Sequence, residues 1–217
     1  MMKNPLINIL TRTSNRPIGF KNCELSIKNQ TYKNIKHIVS YDNDNDLTYL
    51  KETENKIKVD MNQLIKNDNS INPHNPRFWY LPCNLYCNPL LDTVTDGWIM
   101  FLDDDDMLYN DTAIQKIVNN IVDNDTLLIW KMRYPNGRFL PDNHSFYHKK
   151  IKLGGIGSPC FLFHSKYKNV AKWDAYKCGD FRFLEKIHNK IPKKKWIDDI
   201  FIQLNNEGGY GKRVDIK

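Results

Sequence analysis

A run of apolar residues that ends in four aspartates constrains the fold of this chain more than any other feature. The run is Trp98-Ile99-Met100-Phe101-Leu102, and Asp103-Asp104-Asp105-Asp106 follows it directly. Five consecutive apolar residues, mostly β-formers and preceded by Asp-Gly, predict a fully buried central strand. Ligands of an open α/β sheet bind beyond the carboxyl ends of its strands, so the aspartates lie where a ligand is expected.

The four aspartates carry like charges, which repel one another unless they face solvent or a cation. Hard divalent cations such as Mg²⁺ and Mn²⁺ bind carboxylate oxygens, and one bound ion would relieve the repulsion. The alternative is a solvated acidic turn in which Asp106 or Asp111 caps the following helix. Because a buried strand comes immediately before the aspartates, we favour a metal or phosphate site.

Strands and helices alternate along the rest of the chain. The apolar pattern predicts strands at residues 5–11, 35–41, 56–60, 126–132, 138–140, 160–163 and 200–204. It predicts helices at residues 17–29, 47–54, 84–95 and 111–121, and a last helix that follows Asp180 and ends near Asn189. A β-α-β unit is complete within the first 45 residues, so a second strand end also carries aspartates, at residues 42–46.

Composition narrows the class of protein. The chain has 217 residues, 41% of them hydrophobic, which suits one domain with a real core. Its formal charge of +7 allows an anionic partner such as a nucleotide. The only dense basic run is Lys193-Lys194-Lys195, which we interpret as solvated, the alternative being contact with anionic lipid or a phosphorylated acceptor. No nucleic-acid partner is expected, because the other basic residues are spread along the chain.

The cysteines and the apolar runs bear on the cellular compartment. Five cysteines, an odd number, in a chain without a secretory apolar region argue against a disulfide framework. No apolar run approaches the length of a transmembrane segment. We therefore expect a protein that is cytoplasmic or peripheral to a membrane and has no signal peptide.

Several segments resemble the family 2 glycosyltransferases. They are Pro-Leu-Ile-Asn-Ile-Leu-Thr-Arg-Thr at 5–13, Ser-Ile-Lys-Asn-Gln-Thr-Tyr-Lys-Asn-Ile at 26–35, His-Ile-Val-Ser-Tyr-Asp at 37–42 and the run at 96–106. The last is similar to the family's Gly-x-(Trp/Tyr)-Ile-x-Phe-Leu-Asp-x-Asp-Asp segment, which carries its Asp-x-Asp motif. The resemblance extends from residue 5 to about residue 122.

This resemblance implies a GT-A fold, which is a single Rossmann-like α/β domain with a mostly parallel central sheet sandwiched by helices. The domain would span residues 1–217, with a nucleotide-sugar donor half at about 1–106 and an acceptor half at about 107–217. The nucleotide-binding residues that it implies are Thr11, Arg12, Asp42, Asp44, Asp103 and Asp104. Asp42, with Asp44 as the runner-up, would contact the base, which is usually uracil in this family. Asp103 and Asp105 would hold Mn²⁺ or Mg²⁺ against the diphosphate.

The resemblance also implies a catalytic base. Inverting members need a general base for the acceptor hydroxyl, and the family places it at a helix start, usually as Glu-Asp. Here Gly179-Asp180 is the best match, so Asp180 is the predicted base, with Gly179 in place of the glutamate. A plain N-cap role for Asp180 and a base role for Asp174 are the alternatives. A third metal ligand is open, with candidates by residue type at His148, His164 and His188.

The predicted activity is metal-dependent transfer of one sugar from a nucleotide-sugar, UDP-linked by resemblance, to a hydroxyl group of a glycan, protein or lipid-linked acceptor, with inversion. Transfer of a single sugar is favoured because the Gln-x-x-Arg-Trp motif of the processive synthases is missing. A nucleotidyltransferase is one alternative, although residues 11–16 lack the Gly-rich loop that it needs. A degenerate GT-A domain that acts as a binding module is the other, and the departure at Gly179 keeps it open.

Overall fold

A parallel β-α-β unit forms the start of the chain, as its apolar pattern predicts. The computed structural model, which describes residues 4–73 and 78–205, places strand β1 at Ile7–Arg12, helix α1 at Pro17–Lys28 and strand β2 at Ile35–Tyr41. Pro17 occupies the first helical position, where its missing N–H is not needed. Strand β3 (Asn55–Lys58) continues the sheet in parallel beyond β2.

The predicted central strand is β4 (Trp98–Phe101), and all four of its residues are buried. It pairs in parallel with β1, on the side opposite to β2. The carboxyl ends of these three strands therefore share one edge of the sheet, with a topological switch point between β1 and β4. The turn into β4 requires Gly97, which has φ +86°, because a Cβ there would lie 2.6 Å from the carbonyl oxygen of Leu6.

The second half of the chain extends the same sheet in mixed directions. Its strands are β5 (Asp106–Leu108), β6 (Thr126–Arg133), β7 (Phe139–Leu140), β8 (Phe161–His164) and β9 (Lys193–Leu204). The strand order is β3-β2-β1-β4-β8-β6-β9-β5, with β7 beside β6. The predicted mostly parallel sheet is thus corrected to a mixed one, since β8 runs antiparallel to both of its neighbours and β9 antiparallel to β5.

Helices pack on this sheet and contribute apolar side chains to its core. Besides α1 they are α2 (Met61–Lys66), α3 (Cys87–Thr93), α4 (Ala113–Asn119), α5 (Asn143–Tyr147) and α6 (Gly179–Lys190). Phe183 of α6 stacks on Trp173 and meets Phe101 of β4 edge-on, which ties α6 to the central strand. None of the helices in the described part of the chain has both the length and the apolar composition to cross a membrane.

Two predicted helices are corrected. The helix predicted at residues 47–54 is wrong: a 3₁₀ turn at Asp44–Thr48 stands in its place, held because buried Asp46 accepts hydrogen bonds from the Asn15 amide and the Tyr49 hydroxyl. The helix predicted at residues 84–95 is split into a 3₁₀ turn at Pro82–Tyr86 and α3. The first difference depends on the contact between Asn15 and Asp46, which are 31 positions apart, and a local pattern does not contain such a contact.

Two predicted boundaries also move. Asp111 does not start α4, whose N-cap position is Thr112, and the Asp111 carbonyl instead accepts the Thr31 amide at 2.7 Å. The late strand begins at residue 193 rather than 200. The lysines at 193–195 are therefore strand residues whose backbone groups pair with β6. Lys193 and Lys194 are exposed, as the interpretation of a solvated run expects.

Candidate active site

A cleft of ≈ 470 Å³ opens where the carboxyl ends of β1 and β4 meet. Most of its lining comes from five segments: the end of β1 with the loop after it, the aspartate run at 103–106, the 3₁₀ turn at 82–86, the loop at 154–159 and the start of α6. Every strand that contributes to the switch point ends here, which is the position expected for a ligand of an α/β sheet.

Arg12 and Asp103 form the centre of the cleft. The Nε of Arg12 donates to Oδ1 of Asp103 at 3.0 Å, and Oγ of Ser158 donates to Oδ2 of the same carboxylate at 3.0 Å. The Nη1 of Arg12 also donates to Oδ1 of Asn84 at 2.9 Å. Asp103 is therefore held in place by two segments that lie far from it in sequence.

Arg16 contacts the next two aspartates. Its Nη1 lies 3.1 Å from Oδ1 of Asp104 and 2.7 Å from Oδ2 of Asp105. Burial raises the pKa of Asp104 to about 7, against the lowering effect of Arg16. Burial, together with the neighbouring aspartates, raises the pKa of Asp106 well above its usual range. The raised pKa values of Asp104 and Asp106 are the response expected of carboxyl groups that are buried beside like charges, and a bound cation would favour their ionised forms.

The aspartate run fits a divalent cation through its donor chemistry. Within residues 4–73 and 78–205, no three His, Cys, Asp or Glu side chains form a metal-binding cluster. Mg²⁺ is commonly held by one or two carboxylates and completed by water and substrate phosphates, so a protein cage is not required. Asp103 and Asp105, which are hard oxygen donors on the cleft, match that arrangement.

Asp180 lines the same cleft at the second position of α6. It is not the N-cap residue of the helix: that position is Cys178, whose side chain makes no cap hydrogen bond. Its Oδ1 accepts the backbone N–H of Phe181 at 2.8 Å. Burial raises the pKa of Asp180 to about 6, and the charge of Asp103 adds to the increase. The cleft thus holds a carboxylate whose pKa is close to neutral pH, as a general base requires.

Three predicted nucleotide-binding residues lie outside the lining of the cleft. Thr11 is buried, with its hydroxyl 3.0 Å from Nε2 of His37. Asp44 is exposed and pairs with Lys58 at 2.7 Å. Asp42 is half-buried beside Tyr86, a cleft residue whose pKa is raised by burial and by its hydrogen bond to Asp42. Its Oδ1 is buried and has no hydrogen-bond partner among the described residues.

The alternative base and the three candidate histidine ligands lie outside the lining of the cleft. Asp174 forms a two-bond ion pair with Arg182, at 2.5 and 2.6 Å, and does not line the cleft. His148 packs against His144 with the two rings tilted by 47°, and His164 meets Trp98 edge-on. The residue His188 belongs to the last turn of α6. None of these three histidines lines the cleft.

The residues that the sequence pattern missed are Arg16, Asn84 and Ser158. Arg16 lies in the polar basic loop after the first strand, and that position was a signal for it. No comparable signal identified Asn84 or Ser158, because each reaches the cleft only through the fold. The loop at 154–159 lacks the spacing of a phosphate-binding loop, yet Ser158 brings it onto Asp103.

The fold is one that a nucleotide-sugar-dependent glycosyltransferase adopts. A mannosyltransferase, PcManGT from Pyrobaculum calidifontis, solved in complex with GDP-Man and Mn²⁺, matches 96% of this chain with a TM-score of 0.66 and 12% identity. TarS of S. aureus matches 93% of the chain with a TM-score of 0.68 and 14% identity. A fragment of TarS, residues 1–349, in complex with UDP-GlcNAc matches 94% with a TM-score of 0.62 and 16% identity.

The chain spans only part of each similar structure: 37% of TarS, 59% of its 1–349 fragment and 59% of PcManGT. At these identities the similarity shows the fold alone. No protein-family model matches the chain, and the comparison with curated proteins finds no match either.

Proposed function

We propose that the chain is a family 2 glycosyltransferase with one GT-A domain, which transfers a single sugar from a UDP-sugar to a hydroxyl group, with inversion. The acceptor class is a glycan, a protein or a lipid-linked molecule. One observation carries the proposal: the cleft at the switch point brings the aspartate run, Arg12 and Asp180 together. Each of them matches the position that the family resemblance gives to donor binding or to base catalysis.

The donor side of the cleft is suited to a nucleoside diphosphate. Arg12 and Arg16 provide guanidinium groups, which bind phosphate oxygens in pairs. Asp103 and Asp105 would hold Mn²⁺ or Mg²⁺, which neutralises the charge on the departing diphosphate. The buried Oδ1 of Asp42, unpartnered among the described residues, supports a hydrogen bond to an N–H of the base, since leaving such an atom unpaired is costly.

Asp180 is the group proposed to take the acceptor proton. As the acceptor oxygen bonds to the anomeric carbon, its proton passes to the Asp180 carboxylate and the bond from that carbon to the diphosphate breaks. The products are the glycosylated acceptor and the nucleoside diphosphate. With its pKa raised to about 6 by burial, Asp180 is deprotonated at neutral pH and still basic enough to accept a proton.

A nucleotide-binding measurement tests the proposal. Thermal unfolding and calorimetric titration are run with UDP, GDP, UDP-GlcNAc and GDP-Man, each with Mn²⁺, Mg²⁺ or EDTA. A nucleotide at a hundred times its Kd adds about 2.7 kcal/mol to the stability of the protein that binds it. We expect a metal-dependent increase with UDP that is lost in Asp105→Asn and kept in Asp111→Asn, a control at an exposed aspartate.

Two outcomes contradict the proposal. If no nucleotide stabilises the protein under any condition, the glycosyltransferase assignment fails. If UDP-sugars bind but no UDP is released, with water or with a panel of acceptors, the binding-module alternative is favoured.

A further inference from the structure

Position 179 is a glycine because another side chain occupies the space beside it. Gly179 is the first residue of α6, and a Cβ built on it would lie 2.8 Å from Nδ2 of Asn84 and 3.3 Å from the carbonyl oxygen of Asp174. Contacts below 3.0 Å are essentially absent from real structures. A side chain at 179 must therefore displace either the Asn84 amide or the start of α6.

The Asn84 amide connects the two functional parts of the cleft. Its Oδ1 accepts from Nη1 of Arg12 at 2.9 Å, and its Nδ2 donates to the carbonyl oxygen of Tyr176 at 2.8 Å. Arg12 in turn holds Asp103, and Tyr176 lies in the loop that leads into α6. Asn84 is 4% exposed, so water does not replace these bonds readily.

We propose that Asn84 is a positioning residue for Asp180, and that position 179 is a glycine because the Asn84 amide occupies the place of a Cβ. The inference rests on the proposed function, in which Asp180 is the base. The amide sets the start of α6 relative to Arg12 and Asp103. The packing of the Asn84 amide also explains why a glycine stands where the family has a glutamate. Gly179 is then no sign that catalysis has been lost.

Three variants test this arrangement: Gly179→Ala, Asn84→Ala and the double variant. Gly179→Ala forces a clash, whereas Asn84→Ala removes the link and also makes room for a Cβ at 179. We expect the double variant to behave like Asn84→Ala, because the clash needs the amide. Residues that act through one contact give such non-additive effects.

Asn88→Ala is the matched control. Asn88 makes two hydrogen bonds, both at 2.9 Å, to the backbone N–H and carbonyl oxygen of Trp173, so it ties the start of α3 to the 173–178 loop. It has no hydrogen bond to Arg12 or to the start of α6. Its replacement costs a similar number of hydrogen bonds without disturbing the proposed link.

Two readouts are measured on the full chain. The first is amide hydrogen exchange at residues 177–182, which is expected to be at least about ten times faster in Gly179→Ala and Asn84→Ala and unchanged in Asn88→Ala. The second is UDP release from UDP-GlcNAc with Mn²⁺ and water as the acceptor. A displaced base should lower kcat by about 100-fold and leave KM for the donor within about three-fold.

The outcomes separate this inference from the proposed function. Unchanged exchange at 177–182 in both single variants overturns the inference, and so does a double variant whose loss of kcat is the product of the single losses. An equal fall of kcat in Asn88→Ala also overturns it, since the effect would then be general loosening. Failure of the wild-type protein to bind any nucleotide overturns the proposed function, while the exchange measurement still decides whether Asn84 sets the start of α6.

Discussion

Gln30 joins the end of α1 to the segment that leads into α4, and its replacement should destabilise the protein measurably. The side chain is 1% exposed and makes three hydrogen bonds. Its Nε2 donates to the carbonyl oxygens of Ser26 and Asn110, at 3.0 and 2.8 Å, and its Oε1 accepts the backbone N–H of Ile114 at 2.9 Å. Two of these bonds join residues that are 80 and 84 positions apart in the sequence, so they stabilise tertiary structure rather than a helix.

The perturbation is Gln30→Met, which keeps the length of the side chain and removes its polar atoms. Each hydrogen bond is worth about 1 kcal/mol net, and a buried group left without a partner costs about 1–3 kcal/mol. The Ile114 N–H and the Asn110 carbonyl lose this partner, while methionine recovers some apolar contact. We therefore expect the free energy of unfolding to fall by about 3 kcal/mol, and the Tm by about 6–12 °C for a chain of this size.

Urea unfolding measures the effect, with the slope m unchanged so that the midpoint reports stability. Gln63→Met is the matched control, because Gln63 is exposed and its side chain donates to Oδ1 of Asn67, the C-cap residue of its own helix, at 3.0 Å. The control should stay within about 0.5 kcal/mol of the wild type. A loss below about 1 kcal/mol in Gln30→Met, or an equal loss in both variants, would refute the reasoning.

Three further predictions concern charge. Since burial raises the pKa of Asp180 to about 6 and the base acts deprotonated, kcat/KM for UDP release should increase as the pH rises through about 6; a decrease over that range contradicts the base role. Burial lowers the pKa of His37 to about 4, so below pH 6.5 the unfolded state binds the proton and stability falls by about 2 kcal/mol from pH 7 to 4.5. Urea unfolding of His37→Gln, whose amide can still reach the Thr11 hydroxyl, should show a smaller fall, and an equal fall would exclude His37 as its source. Arg12→Met should weaken UDP binding by about 10-fold or more in calorimetric titrations, whereas Arg138→Met, at an exposed position, should leave it unchanged; equal Kd values for both variants would remove Arg12 from the donor site.

The motif at residues 26–35 shows how a sequence resemblance and a structural reason meet. Ser26 accepts the Leu108 amide at 3.1 Å, and the Tyr32 hydroxyl donates to the Pro5 carbonyl at 2.5 Å. Together with Gln30, these side chains join α1 and the turn after it to β5 and to the start of the chain. Ser26, Gln30 and Tyr32 of this motif are therefore structural and lie outside the cleft, whereas the aspartates at 103–106, which also carry the resemblance, line it.

Sequence alone was sufficient for elements with a strong local pattern. The buried run at 98–101, the first β-α-β unit and α6 lie where the sequence predicts them. In each of them, the pattern of apolar residues within a short segment is enough to indicate which residues are buried. The aspartates at 103–106 and Asp180 were also identifiable, and the structure places them in one cleft. Their proposed roles still come from the family resemblance.

Tertiary structure decided what depends on distant partners. The antiparallel insertion of β8, the 3₁₀ turn at 44–48 and the short strand β5 have no local pattern, since each is stabilised by residues far away in the sequence. The same reason applies to Asn84 and Gly179, which are 95 positions apart in the sequence. Their relation is visible only in the fold, where a Cβ at position 179 would clash with the Asn84 amide. Apolar periodicity records which face of an element is buried, but not what that face is buried against.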